Sequence, residues 1–311
     1  MISILIPAYN EEITIKDTIL DFHNVLNEAE IIVIDNNSTD NTSIIANSTF
    51  SEYNINGKVI FELKKGKSNA IRNAFRNINS DIYVMVDADT TYKAQDLIKL
   101  LQPVVDAKAD MVVGDRLSNG QYKKQNKRDF HEFGNNLIKF IINKVFSSNR
   151  TDILSGYRVF TKRFVKTFPV MSSGFELETE LTIHSLDKRL NVIEIPVQYK
   201  DRPIGSKSKL NTYKDGFKVI YISVNLVRLY RPLLFYSFFF IFTSLLGIII
   251  GTIPVLEFIN TARISHFPAA ILASALITCS LVILAVALIL DNITYQNKCN
   301  FEITYNKFEI K

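Results

Sequence analysis

A chain of 311 residues with 47% hydrophobic content, 22% charged residues and a net charge of +5 can fill one large core or two smaller ones. Its two cysteines, Cys279 and Cys299, exclude a disulfide-stapled fold and fit a reducing compartment. Four of 36 basic and four of 31 acidic residues follow residue 232, so the first 232 residues carry the whole net charge and the last quarter is left apolar.

Residues 1 to about 125 alternate short β-branched runs with helical patterns, which predicts stacked βαβ units on a largely parallel sheet. Strands are expected at Ile2–Ile6, Glu30–Ile34, Lys58–Leu63, Ile82–Val86 and Met111–Gly114. Helices are expected near Glu11–Asn27, Thr42–Asn47, Lys67–Asn77 and Ala94–Ala107. Further on, helical patterns occur near Phe130–Phe146 and Phe175–Lys188, with a strand at Val192–Tyr199. The stretch 211–232 mixes Tyr213, Phe217, Ile220, Tyr221 and Val224 with Lys214, Lys218 and Arg228, a basic amphipathic pattern that suits a helix in a membrane interface.

Two uncharged runs then follow, 233–253 and 268–290. At 1.5 Å per residue each makes a helix of roughly 30–35 Å, enough for a hydrocarbon core of about 30 Å. Buried core helices are the alternative, but those normally carry a polar stripe. Lys214, Lys218, Arg228 and Arg231 precede the first span, whereas the intervening loop holds only Glu257 and Arg263. The positive-inside rule therefore puts both termini and the head on the cytoplasmic side of a cell membrane, with residues 291–311 as a cytoplasmic tail. Ile2–Ile6 is too short an apolar run for a signal peptide.

The polar clusters follow the expected strand ends, where open α/β sheets bind ligands: Pro7–Glu12, Asp35–Asp40, Lys64–Lys67 and Asp87-Ala88-Asp89. Two carboxylates at the end of a buried strand suit Mg²⁺, which takes one or two carboxylates and completes its shell with phosphate oxygens and water. D-x-D alone is a weak motif. Asn36 to Asp40 reads equally as a turn and helix cap. Glu176, Glu178 and Glu180 alternate on a helix and do not share one face, and solvated charge explains them as well as a site does. His184 reads as a packing or capping residue, and the four histidines are too scattered for zinc. No nucleic-acid partner is expected.

Together with Asp152-Ile153-Leu154-Ser155-Gly156-Tyr157-Arg158, Gly174-Phe175-Glu176-Leu177-Glu178 and the Arg202 to Lys209-Leu210 loop, these motifs resemble family 2 glycosyltransferases. Within that family the likeness is to polyprenyl-phosphate enzymes related to dolichyl-phosphate mannose synthase. The resemblance implies a glycosyltransferase A-type, Rossmann-like α/β domain over 1–210, followed by an interfacial helix (211–232) and a transmembrane hairpin (233–290). It further implies a nucleotide-sugar donor, Mg²⁺ or Mn²⁺, a polyprenyl phosphate acceptor, inversion at the anomeric carbon, and a homo-oligomer, with tetramers among the relatives' assemblies.

Carried over by position, Pro7, Tyr9, Glu11, Asp35, Lys67, Asp87 and Ala88 would line the donor site. Asp89 would be the metal ligand, with Asp87 beside it, and Asp152 a catalytic or acceptor-side residue whose role against Glu178 stays open. Arg116, Arg128, Arg158, Arg202 and Lys209 would hold acceptor phosphate, against the plain alternative of solvated surface charge. UDP-glucose or UDP-N-acetylglucosamine is the expected donor and undecaprenyl phosphate the expected acceptor, with a GDP-mannose-dependent synthase as the alternative. Processive polysaccharide synthases resemble a Q-x-x-R-W pattern with more spans, and this chain has no Trp. A non-catalytic module that binds nucleotide-sugar is the rival of another class.

Overall fold

In the computed structural model, residues 1–118, 129–172, 176–200 and 224–308 are described, with backbone alone for 129–135. Apolar residues that alternate in facing build a seven-stranded sheet from β1 (Ile2–Ala8), β2 (Glu30–Asp35), β3 (Gly57–Phe61), β4 (Ile82–Met85), β5 (Met111–Asp115), β6 (Arg158–Thr161) and β7 (Val192–Pro196). Their order is β3-β2-β1-β4-β6-β5-β7. Both faces of the sheet are covered. On one, Ile4, Ile6, Ile31, Val33, Val84 and Val86 meet α1 (Ile15–Val25), α2 (Thr42–Glu52) and α4 (Leu97–Val105). On the other, Leu5, Ile32, Ile34, Tyr83 and Met85 meet α3 (Lys67–Asn77), α6 (Lys162–Thr167) and α7 (Leu177–Asp187). Each buried Ile, Leu or Phe contributes roughly 1.5–3 kcal/mol. Near-continuous apolar strands therefore need helices on both sides, which is the three-layer α/β architecture.

The five strands expected in the first part of the chain all run parallel to one another, but the sheet is mixed. Strand β6, unforeseen from the sequence, lies antiparallel between β4 and β5, with Met85 opposite Arg158 and Val113 opposite Arg158. Because β6 runs the other way, the residues just before it, Ser155 and Gly156, arrive where β4 ends. The order of strand addition reverses between β1, from which β2 and β3 extend on one side, and β4 on the other, although the two strands are parallel. That is the topological switch point at which such sheets form a crevice.

Helix α5 (Asp129–Phe146) completes this unit, which comprises residues 1–216 and 301–311. Residues 217–300 form a second unit, containing α8 (Pro232–Thr261) and most of α9 (Phe267–Asn306). Both helices are long and apolar enough to cross a membrane. Pro232 opens α8, and Ala262 closes it in the left-handed region with φ 56°. The two helices approach through small residues. A methyl group on Gly247 would sit 3.0 Å from Ile277, and one on Gly251 would sit 3.4 Å from Ala273. Ala273, Ser280 and Ala287, seven residues apart, are buried. A small-xxx-small face of this kind lets apolar helices pack backbone to backbone where the hydrophobic effect gives no drive.

Helix α9 continues through residues expected as a tail, and its last turns belong to the first unit. Phe301 and Tyr305, four residues apart on one face, supply the reason. Tyr305 Oη donates to Asp110 Oδ1 at 2.5 Å, and the Arg163 guanidinium binds the same oxygen at 2.6 Å while lying 4.6 Å from the Tyr305 ring. The Phe301 ring meets His184 edge-on at 5.1 Å. Burial pushes the His184 imidazole down to about 4, with the Lys188 ammonium acting the same way and Asp187 opposing. The expected interfacial helix lies mostly outside the described residues, although 224–230 is helical.

Candidate active site

The polar groups gather at the carboxyl ends of the strands. Asn10, Asn37 and Thr90, which follow β1, β2 and β4, have φ of 53°, 60° and 57°. Asn tolerates this left-handed region, whereas a β-branched Thr there is a genuine outlier of the kind that collects at functional sites. Gly66, with φ 122°, opens α3, and its N–H donates to Asn36 Oδ1 at 2.6 Å. Asn36 Nδ2 in turn donates to the Lys64 carbonyl at 2.7 Å, so the turn after β2 clamps the loop that carries Lys67.

Lys67 Nζ forms ion pairs with both Asp87 and Glu178, the latter at 2.6 Å. Burial alone would lower the Lys67 ammonium, but the two carboxylates outweigh it and hold it above its ordinary value. Glu178 stands in the first turn of α7, where the helix dipole favours a carboxylate. Asp87 fits against Gly156: any side chain on that glycine would overlap the Asp87 carboxylate. The Gly156 N–H donates to Tyr92 Oη at 2.9 Å, and Ser155 Oγ donates to the Gly114 carbonyl at 2.6 Å. Asp89 is 3% exposed, and its Oδ1 accepts from Thr91 N at 3.2 Å and Thr91 Oγ1 at 2.6 Å. Ala88 is buried, and its carbonyl accepts from Thr18 Oγ1 on α1.

Asp87 and Asp89 are oxygen donors of the type Mg²⁺ and Mn²⁺ take. No cluster of three or more His, Cys, Asp or Glu able to hold an ion occurs among the described residues. The donor set fits an ion that draws one or two carboxylates from the protein and the rest of its shell from a diphosphate and water.

Around this centre, Lys65 Nζ lies 3.2 Å from Tyr9 Oη and 5.2 Å from the ring centroid. Glu11 Oε2 accepts from Thr14 Oγ1 at 3.2 Å, and Pro7 lies within β1. Asp35 is 3% exposed and turned into its own loop, accepting from Ser38 N at 3.0 Å and from Ser43 Oγ.

On the β5 side, Arg116 and Asp152 pair with each other. Nε and Nη2 of Arg116 each donate to the Asp152 carboxylate at 2.8 Å, and its backbone N–H donates at 3.0 Å. Burial would raise the Asp152 carboxyl, but the guanidinium more than offsets this and holds it below the usual carboxylate range. Such a carboxylate orients a cation instead of accepting a proton near neutral pH. The Arg116 guanidinium also lies 5.5 Å from the Tyr199 ring, which packs 5.3 Å from Tyr92.

Arg158 is a correction. Its side chain is fully buried, and its nitrogens donate to the carbonyls of Ser155, Ile153 and Glu178 and to Thr182 Oγ1. Burial pushes the guanidinium down to about 10. It fastens β6 to α7, and its hydrogen bonds go to protein groups instead of to the surface. Arg128, Arg202 and Lys209 lie outside the described residues. Tyr92 and Gly156 were given no role in the sequence, and Glu178 was left undecided. Glu180, two residues on, instead accepts from the backbone of Met171 and Ser172.

The sequence model described as Glycosyl transferase family 2 matches residues 3–168. The chain belongs to glycosyl transferase family 2 and is a glycosyltransferase. It is 32% identical over 216 residues to glycosyltransferase AglJ of Haloferax volcanii, covering 69% of this chain and 68% of that one. It is 30% identical over 249 residues to the UDP-N-acetylglucosamine–dolichyl-phosphate N-acetylglucosaminyltransferase of Methanococcus voltae, covering 71% and 94%. Among solved structures, glucosyl-3-phosphoglycerate synthase of Mycobacterium tuberculosis, crystallised with Mn²⁺, UDP and phosphoglyceric acid, superposes with a TM-score of 0.56 at 18% identity, covering 73% and 77%. That likeness extends to the fold.

Proposed function

We propose that this glycosyltransferase moves a sugar from UDP-glucose or UDP-N-acetylglucosamine to a membrane-borne polyprenyl phosphate, undecaprenyl phosphate in a bacterial envelope, with inversion at the anomeric carbon. One observation carries the reading: a carboxylate pair with a shared lysine and an oriented arginine stand on one sheet edge, in a chain with two helices apolar enough to span a bilayer. The dolichyl-phosphate acceptor named for the Methanococcus relative supports it. The surplus of Lys and Arg before the first span supports a cytoplasmic catalytic unit.

A lipid phosphate is an anion at neutral pH and attacks without giving up a proton, so no general base is required. The difficulty is bringing it to a donor diphosphate that gains negative charge as the glycosidic bond breaks. Asp89, with Asp87 beside it, would hold Mg²⁺ or Mn²⁺, which when bound neutralises that charge. Pro7, Tyr9, Glu11 and the Asp35 turn would position the nucleoside, and Lys67 would lie next to the phosphates. Arg116, preset by Asp152, would orient the acceptor phosphate, for which a planar guanidinium fork is suited. Charge stabilisation of this sort is commonly the largest part of an enzymatic rate enhancement.

Membranes containing the protein, given labelled UDP-glucose, UDP-N-acetylglucosamine or GDP-mannose with undecaprenyl or dolichyl phosphate and Mg²⁺, should yield chloroform-soluble label with a UDP-sugar. Label from GDP-mannose alone would select the mannose synthase alternative, and no label with any pair would defeat the acceptor assignment. Asp89→Ala should lower turnover at least about 100-fold, with expression and membrane insertion unchanged.

A further inference from the structure

The Lys67 ammonium lies between two carboxylates in a poorly solvated pocket, with side-chain exposures of 13% for Lys67 and 8% for Glu178. Asp87, 29% exposed, lies against Gly156, whose missing side chain leaves the room its carboxylate occupies. The cluster thus holds two carboxylates and one ammonium, with Asp89 two residues further along the chain. Stripped of the lysine, Asp87 and Glu178 would face each other without a counter-charge; with the lysine in place, each is paired to the same ammonium.

We propose that Lys67 is a resident counter-cation that closes Asp87 to metal until a nucleoside diphosphate arrives, so that metal and nucleotide enter as a coupled pair. The proposal rests on the donor-site reading above. A divalent ion that draws on Asp87 as well as Asp89 must, when it arrives alone, take Asp87 from Lys67 and leave the ammonium with Glu178 only. A diphosphate arriving with it gives the ammonium a new anion within the reach of its four-carbon stem, and gives the ion further oxygen ligands. Each ligand thereby favours the other, and the reciprocity of linked binding requires equal effects in both directions. Lys67 thus acts as a binding residue whose ammonium passes from Asp87 to the diphosphate.

The test is Mn²⁺ binding to the full chain in detergent, followed by the electron paramagnetic resonance signal of the free ion, with no nucleotide, with UDP and with GDP. In the wild type, Mn²⁺ should bind at least about tenfold more tightly with the matching nucleotide, within the usual range of couplings. Lys67→Gln should tighten Mn²⁺ binding without nucleotide by about tenfold and shrink the coupling to under about threefold. Lys67→Arg, which keeps a cation, should retain the coupling. A Lys67→Gln protein whose nucleotide-free Mn²⁺ affinity is unchanged or weaker overturns the counter-cation role while leaving the donor site intact. If Lys67→Gln does not fold, the wild type still decides: equal Mn²⁺ affinity with and without a nucleotide that binds also overturns it. Wild type that binds neither UDP nor GDP overturns both this proposal and the donor-site reading.

Discussion

The two ends of the sheet use the same backbone conformation for different ends. At the amino ends of the strands, Asn54, Ala107 and Arg189 adopt φ of 49°, 56° and 55° just past α2, α4 and α7. Each is followed by a residue whose N–H returns to the last helical turn: Ile55 to Phe50, Lys108 to Pro103, and Leu190 to Ser185. These are ordinary helix stops in which orphan carbonyls are satisfied. At the carboxyl ends, Asn10, Asn37 and Thr90 follow strands and close no helix. The charges divide in the same way. Asp110 at the amino end is matched by Arg163 and sealed by Tyr305, while at the other end one lysine serves two carboxylates. A left-handed residue or a buried acid acquires meaning from what closes it.

Removing a partner from the functional edge should have the largest effect on stability. Asp152→Asn takes the charge from a well-buried pair and should lower unfolding stability by about 3–5 kcal/mol, read as a shift in denaturant midpoint. A midpoint within error of wild type would reduce this pair to the standing of a surface ion pair.

The opposite edge is best tested by pH. His184 is neutral in the fold, at about 4 against an unfolded value of roughly 6.5. The unfolded chain therefore binds more protons between those values, and stability should be full above pH 6.5 and decline as pH falls to 4, by on the order of 3 kcal/mol. His184→Leu should flatten that slope. A slope identical in both proteins would assign the acid sensitivity to other groups.

The smallest effect is expected at Thr90. Thr90→Asn relieves a left-handed β-branched residue and should raise stability by about 1 kcal/mol, while lowering turnover because the turn beside Asp89 relaxes. A gain in both thermal midpoint and kcat would show that the strain has no catalytic role.

Much of this was legible in the chain. The β-branched runs at Ile2, Glu30, Ile82 and Met111 carry their strand identity in their own composition, and the polar turn after each strand marks the edge where Asp87 and Asp89 stand. Strand β6 was not legible, because Arg158 reads as a polar boundary. Its guanidinium is satisfied by the nearby carbonyls of residues 153 and 155 together with Glu178 and Thr182 on α7, and no local pattern encodes the α7 partners. Glu178 and Glu180 differ in role for the same reason: Lys67 reaches one of them from 111 positions away. The end of α9 left a faint trace in the Phe301 and Tyr305 spacing, hidden by the polar residues around it.

The insertion of β6 has a consequence for biosynthesis. Asp87 leaves the ribosome well before Gly156 and Glu178, and at roughly 5–20 residues per second the gap to Glu178 lasts on the order of 5–20 s. During that interval the acidic pair has no floor and Lys67 has half its partners. Tyr305 emerges only after both long apolar helices have been synthesised, so the turn that seals Asp110 is among the last native contacts to form.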